Sequence, residues 1–324
     1  MRVATLARCA RRGALLLLGA NVLGLAAAAG SGTSPRLPEA PRCPLFPANN
    51  PWHQRVDRLP VAASSATIIG SVGADATVLP HFGSGLSPKD HAPIGFPYVV
   101  VSERQKKVRL SFLYAGGSDK GPYPIPRNVP IQGGPSSTGD RHAIVVDRDR
   151  CILYELWALY PTRQGWRAGS GAIWNLRSNR LRPDGWTSAD AAGLPILPGL
   201  VRYEEVAQGA VRHALRFTAP RTRAAHVYPA RHDASDSTDP NLPPMGLRLR
   251  LRRDFDVSSF PPQARIILTA LKRYGMFLAD NGLPWYLSGV PNKHWNNKDL
   301  ETLERVKGSD FEVVDTSSLP KPGT

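Results

Sequence analysis

The chain has 324 residues, a formal net charge of +15 from 41 basic and 26 acidic residues, and only three cysteines. Its 31 prolines and 29 glycines are too many for a helix bundle or a coiled coil, and they follow no Gly-X-Y period typical of collagen. Because 42% of the residues are hydrophobic, wholesale disorder is also excluded, and we predict a mainly β, loop-rich globular fold.

The first 29 residues resemble a secretory signal peptide. Four arginines precede the apolar stretch 13–25, and small residues at 26–29 provide a cleavage site. The alternative is a membrane anchor, but the apolar stretch is short for a span and is interrupted at Asn21. We therefore predict cleavage near Ala28 or Ala29, a secreted or periplasmic protein, and no stable membrane span after cleavage.

Beyond the signal peptide we predict a linker rich in Ser, Pro and Gly at 30–42, one globular domain at 43–315 and a flexible tail at 316–324. Two cysteines, Cys43 and Cys151, remain in the cleaved chain. In an oxidising compartment they form one disulfide most simply, the alternative being two buried thiols. Zinc binding is disfavoured, since neither has a second cysteine or a histidine at ligand spacing.

Two hairpins are predicted in the first half of the domain. Tyr98–Ser102 and Val108–Tyr114 form the first, and His142–Val146 and Cys151–Tyr160 form the second around a charged turn. Further strands are predicted at His213–Thr218, His226–Tyr228, Met245–Arg252 and Trp285–Ser288.

Arginines alternate with leucines within the predicted strand Met245–Arg252. This alternation predicts a solvated face formed by Arg248, Arg250 and Arg252. The apolar spacing then becomes helical, predicting a helix at Gln263–Ala279 and another at Lys298–Val306 capped by Asn297. The predicted fold is an antiparallel β-sandwich-like single domain of the α+β class with two C-terminal helices.

Several long segments resemble a family of secreted bacterial proteins of uncharacterised function. The segments include TGDRHAIVVDRD, LRPDGWTSADAAGLPILPGLVRYEEV and DPNLPPMGLRLRL, and the similarity extends from about Cys43 to Asp315. The resemblance implies an exported protein with one domain. It carries no catalytic assignment to transfer to this chain.

The second hairpin contains the candidate catalytic residues. A turn of two or four residues places His142 opposite Glu155, whereas a turn of three residues places Ala143 there instead. A Glu–His pair beside Trp157 is a workable acid–base unit, because partial burial moves both pKa values toward neutrality. The alternative is a structural hydrogen bond or ion pair at a sheet edge.

Asp140, just beyond the strand end, joins His142 and Glu155 as the third candidate catalytic residue. The candidate substrate-binding residues are Arg141, Trp157, Trp174 and Trp186, because tryptophan rings stack on sugars and arginine orients anionic groups. The alternative for each tryptophan is that it packs in the hydrophobic core. For Asp190, a capping box with Thr187 at a helix start is favoured over catalysis.

The loop with His232, Asp233, Asp236 and Asp239 offers oxygen ligands for calcium, but its spacing fits no known metal motif, so we predict no metal or cofactor. Basic residues are interleaved with acids, which disfavours nucleic acid as a partner. The function we expect is cleavage or remodelling of extracellular polysaccharide by a monomer. The alternatives are a noncatalytic protein that binds glycan or cell wall and a structural envelope protein.

Overall fold

Short strands separated by turns make up most of the regular structure in a computed structural model of the protein, which describes residues 34–88 and 91–324. The predicted signal peptide lies outside these residues. The strands are β1 (Arg36–Leu37), β2 (Ala40–Pro44), β3 (Leu79–His81), β4 (Tyr98–Val101), β5 (Leu110–Phe112), β6 (Ala143–Asp147), β7 (Ile152–Trp157), β8 (Tyr160–Thr162), β9 (Gly165–Ala168), β10 (Ser170–Asn175), β11 (Leu215–Ala219), β12 (Arg248–Leu251), β13 (Met276–Asn281), β14 (Tyr286–Ser288) and β15 (Phe311–Val313). The α-helices are α1 (Ser65–Val72), α2 (Tyr203–Ala207), α3 (Pro262–Arg273) and α4 (Asn297–Glu301).

These elements confirm the predicted mainly β, α+β class in a single domain. The two largest sheets have four strands in the order β10-β7-β6-β4 and six strands in the order β15-β12-β13-β11-β14-β3. Both sheets are mixed, since β4 runs parallel to β6 and β11 runs parallel to β13. None of the helices among residues 34–88 and 91–324 is long and apolar enough to cross a membrane.

The first predicted hairpin is wrong, because its two strands join different sheets. β4 pairs with β6, whereas β5 pairs with β9 in a three-stranded sheet of order β5-β9-β8. The apolar side chains of β4 explain its position. Tyr98 and Val100 pack on one hydrophobic cluster, and Val99 and Val101 pack on another, so both faces of the strand need a covering layer.

The first C-terminal helix ends at Arg273, earlier than the predicted Ala279, and the following residues form β13. Gly275 causes the break. Its φ of +65° lies in the left-handed region, and a Cβ at this position would collide with the carbonyl oxygen of Leu249. The second helix is shorter than predicted, and its cap is Asn296, whose side chain accepts hydrogen bonds from two backbone amides of the first turn.

The predicted solvated arginine face is wrong for Arg248 and Arg250, which are buried. Arg248 donates to the carbonyl oxygens of Tyr274, Pro51 and Gln54, and burial lowers its pKa to about 9. Arg250 pairs with Glu312 at 2.7 Å. These partners come from distant segments of the chain, which alternation within one strand does not reveal.

The predicted disulfide is present, with 5.2 Å between the Cα atoms of Cys43 and Cys151. The segment before it differs from the predicted linker, because β1 pairs with β2 and the side chains of Leu37 and Ala40 are buried in the core beside Cys43. In the C-terminal tail, the carbonyl oxygen of Pro322 accepts a hydrogen bond of 2.9 Å from Tyr228. Both ends of the described chain therefore contact the domain.

Candidate active site

The second hairpin forms as predicted, but its register differs. Its four-residue turn begins one residue later than expected, so that Asp147 pairs with Ile152 and Ile144 lies opposite Glu155. The oxygen Oδ1 of Asp147 accepts two hydrogen bonds of 3.1 Å from backbone amides within the turn, which fixes this position. The predicted His142–Glu155 pair is therefore wrong, although a shift of two residues leaves both side chains on the same face of the sheet.

Glu155 is completely buried, and it binds backbone rather than a histidine. Its carboxylate accepts hydrogen bonds from the amides of Ile196 at 3.0 Å and Leu197 at 2.8 Å. Burial raises the pKa of Glu155 to about 7, although these two bonds favour the charged form and oppose the shift. The side chain thus anchors the loop 187–199 to the four-stranded sheet.

His142 is also buried, and both of its ring nitrogens have oxygen neighbours. Nδ1 lies 2.5 Å from the side-chain oxygen of Gln132, and Nε2 lies 2.9 Å from the carbonyl oxygen of Ala189. Burial lowers its pKa, which favours the neutral ring. Like Glu155, His142 contacts the backbone of the loop 187–199. Both side chains are buried, so a substrate in solvent does not reach them.

A cavity of about 340 Å³ lies beside the loop 187–199 and is lined by five residues of that loop and by Trp157. A volume of this size is typical of small-ligand sites. Its walls combine aromatic rings, carboxylates and a histidine: Tyr114, Trp157, Asp140, Asp190, Asp280 and His232. Asp140 is the one predicted catalytic residue that lines it.

One arginine lies close to both Asp190 and Asp280. Arg216, on β11, donates to Asp190 through Nη2 at 2.8 Å and Nε at 3.1 Å, and Nη1 donates to Ser288 at 2.6 Å. Nη2 also lies 4.0 Å from Oδ2 of Asp280. Asp190 therefore faces the six-stranded sheet as the buried partner of Arg216. The predicted capping box of Thr187 and Asp190 is wrong, since no helix begins at Thr187.

Asp280, near the end of β13, is a carboxyl group at this cavity whose pKa is raised. Burial and the negative charge of Asp190 raise its pKa well above the usual range, and Asp140 adds to this effect, whereas Arg216 opposes it. Its side chain is still 29% exposed. The cavity thus contains a carboxyl group that keeps its proton to higher pH, within electrostatic reach of a second, exposed carboxylate.

An aromatic pair borders the cavity. The rings of Tyr114 and Trp157 lie 6.0 Å apart, and the indole Nε1 of Trp157 donates to Oδ1 of Asp140 at 3.4 Å. The indole packs directly over Gly169, where a Cβ would collide with its six-membered ring. Trp157 thus lines the cavity beside Asp140.

The other predicted substrate-binding residues lie away from the cavity. Trp174 is buried in the core, and the guanidinium of Arg182 lies 5.5 Å from its ring and 5.5 Å from that of Trp186. Arg141 is buried and donates to the carbonyl oxygens of three residues, Leu159, Pro135 and Ser137. Its guanidinium is thus occupied by backbone, so it does not meet a ligand in the cavity.

The residues of the loop considered for calcium have separate contacts. His232 lines the cavity and contacts the carbonyl oxygen of Ala191 through Nδ1, Asp233 contacts His226, and Asp239 accepts from the amide of Asn241. Among the described residues, no group of three or more His, Cys, Asp or Glu side chains is arranged to hold a metal ion.

Sequence reasoning missed Asp280 and Arg216. Asp280 directly follows the predicted helix Gln263–Ala279, and the signal against that helix is Gly275, at the point where the helical spacing ends. Arg216 lies within a predicted strand, where a single charged residue among apolar neighbours indicates a buried partner. Comparison of the chain with protein-family models, with curated proteins and with solved structures gave no match.

Proposed function

We propose that the protein hydrolyses a glycosidic bond of a polysaccharide in this cavity, with Asp280 as the general acid and Asp140 as the second carboxylate. The observation that carries the proposal is the pair of differently placed carboxyl groups, one with a raised pKa and one exposed, in the same cavity. Two carboxyl groups whose environments separate their pKa values are what glycoside hydrolysis requires.

In the proposed reaction, Asp280 donates its proton to the oxygen that links two sugars as the bond from that oxygen to the anomeric carbon breaks. Asp140 accepts a proton from a water molecule, whose hydroxyl joins the anomeric carbon. Trp157 and Tyr114 offer flat faces for a sugar ring, and Arg216, paired with Asp190, lies 4.0 Å from Asp280. The Cys43–Cys151 disulfide supports a secreted protein, since such bonds persist in oxidising compartments.

The test is the release of new reducing ends from a panel of polysaccharides by the wild-type protein and by Asp280→Asn and Asp140→Asn. Each variant is expected to lose activity by about 100-fold or more, because a positioned acid or base contributes roughly that factor. Asp75→Asn is the matched control, since Asp75 is an exposed aspartate that does not line the cavity. Full activity in both cavity variants would overturn the assignment.

A noncatalytic glycan-binding role is the second candidate, and the Trp157–Tyr114 pair at the cavity favours it. Under this alternative the protein is retained on an immobilised glycan, releases no reducing ends, and loses retention in Trp157→Ala. Asp280→Asn then has no effect beyond that of Asp75→Asn. The two functions therefore differ in turnover and in the response to Asp280→Asn.

A further inference from the structure

The three-stranded sheet β5-β9-β8 has one buried and one exposed face. Leu110, Phe112 and Trp166 pack against the hydrophobic cluster below the sheet. On the other face, the register places Ser111 beside Arg167 and Arg167 beside Tyr160. Ser111 and Arg167 are exposed, so the part of this face formed by β5 and β9 is open to solvent.

Positive charge accumulates on this face without compensation. Arg109 precedes β5, Arg163 lies in the turn between β8 and β9, and both are exposed, as is Arg167. The segments 104–118 and 156–183 contain no aspartate or glutamate. The ion pairs of the described residues involve other basic side chains, so these three arginines keep their full capacity to bind an anion.

We propose that this surface, Arg109, Arg163 and Arg167 on the exposed face of the three-stranded sheet, binds an acidic polysaccharide. Guanidinium groups bind carboxylate and sulfate groups through two parallel hydrogen bonds. Arg167 lies over the Tyr160 ring with its Cζ 4.8 Å from the centroid, a cation–π contact that positions the guanidinium at this face.

The same ring argues for a polysaccharide over a nucleic acid. Proteins that bind single strands stack bases on free aromatic faces. Here Tyr160 is engaged by Arg167 and also by Arg141, whose Cζ lies 4.3 Å from the ring centroid. The three arginines therefore offer charge and hydrogen bonds, and the ring beside them, Tyr160, is not open to a base.

The surface leads toward the cavity. Beyond β5 and β9 the pairing continues, because the amide of Leu113 donates to Ala168 at 3.1 Å and that of Tyr114 donates to Gly169 at 2.9 Å. Tyr114 borders the cavity, and it is three residues from Ser111, roughly 10 Å along an extended chain. This short connection along the chain brings the proposed surface near the cavity, and binding there does not depend on hydrolysis in the cavity.

The test is the affinity of the full protein for polygalacturonate, measured in 50 and 200 mM NaCl. Arg109→Ser/Arg163→Ser/Arg167→Ser is expected to weaken binding at least tenfold and to flatten its salt dependence. The control Arg221→Ser/Arg265→Ser/Arg273→Ser removes the same charge from exposed arginines elsewhere and is expected to bind like the wild type. Arg109→Ser/Arg163→Ser, which leaves the Arg167–Tyr160 contact intact, is expected to show an intermediate loss.

Three results would overturn the proposal. Equal weakening in both triple variants would mean that only the overall charge matters. Absence of binding to polygalacturonate by the wild type would remove the surface as a polysaccharide site. In the third result, the wild type binds single-stranded DNA more tightly than polygalacturonate, and the Arg109→Ser/Arg163→Ser/Arg167→Ser variant loses this binding. That result would identify a nucleic-acid site instead.

Discussion

Arg216 binds the carboxylate of Asp190 through two hydrogen bonds, of 2.8 and 3.1 Å, in a part of the molecule closed to solvent. Burial opposes the charge on Arg216, but Asp190 outweighs it and raises the pKa of the guanidinium. The pair joins the loop 187–199 to the six-stranded sheet, and Glu155 joins the same loop to the four-stranded sheet. The cavity depends on both connections for its shape.

We expect Arg216→Met to lower the free energy of unfolding by about 3–5 kcal/mol, because it leaves the Asp190 carboxylate buried without a partner. Urea denaturation measures the loss. The double variant Asp190→Leu/Arg216→Met, which removes both charges, is expected to lose less than the sum of the two single changes. Additive losses would mean that the two residues do not stabilise each other.

Glu155 makes a contribution to the free energy of unfolding that decreases as the pH rises. Its folded-state pKa of about 7 is above the usual 4.5, so the folded protein retains a proton that the unfolded chain has lost between these values. The contribution is complete below pH 4.5 and is lost as the pH rises through 7, with a total on the order of 3 kcal/mol.

In Glu155→Gln this titration is absent. The stability of the wild type relative to that of the variant is therefore expected to decrease between pH 4.5 and pH 7, as measured by urea denaturation at several pH values. A constant difference across this range would show that Glu155 titrates normally in the folded protein.

Glu205 gives the opposite pH dependence. Burial alone would raise its pKa, but Arg202 at 2.8 Å and His213 at 3.0 Å outweigh burial and lower the pKa to about 2. Its contribution, about 3 kcal/mol, is present above pH 4.5 and is lost as the pH falls toward 2. We expect the stability difference between wild type and Glu205→Gln to shrink over this range, and a difference that grows on acidification would contradict the account.

Gly169→Ala tests how Trp157 is held. The added methyl group would collide with the indole, so we expect the ring to leave its position beside Asp140 and the protein to lose about 1–3 kcal/mol of stability. Tryptophan fluorescence and thermal unfolding follow the two effects. Gly116→Ala is the control, since a Cβ there has no neighbour within 4 Å. Equal behaviour of the two variants would show that the indole does not depend on Gly169.

The sequence predicted the features that depend on local pattern or on cysteine count. The mainly β class, the Cys43–Cys151 disulfide and the existence of the second hairpin follow from apolar alternation, turn residues and an isolated cysteine pair. The register of that hairpin was not predicted, because it depends on the hydrogen bonds that the carboxylate of Asp147 accepts from two particular turn amides.

The candidate site was predicted only in part, for a related reason. Asp140 and Trp157 are close in the hairpin, so strand pairing was sufficient to bring them together. Asp280 reaches the same cavity from a strand more than 100 residues away, and Arg216, on the six-stranded sheet, reaches Asp190 in the loop 187–199. Such contacts depend on how the sheets pack, which residue spacing along the chain does not encode.

The most direct test of the account is the titration of the Asp280 carboxyl group by carbon NMR, in the wild type and in Asp140→Asn. We predict a pKa well above the usual range for aspartate in the wild type, and a lower one in Asp140→Asn, because the charge of Asp140 contributes to the increase. An ordinary aspartate titration in the wild type, or a titration that Asp140→Asn leaves unchanged, would contradict the assignment of Asp280 and Asp140 as an acid–base pair.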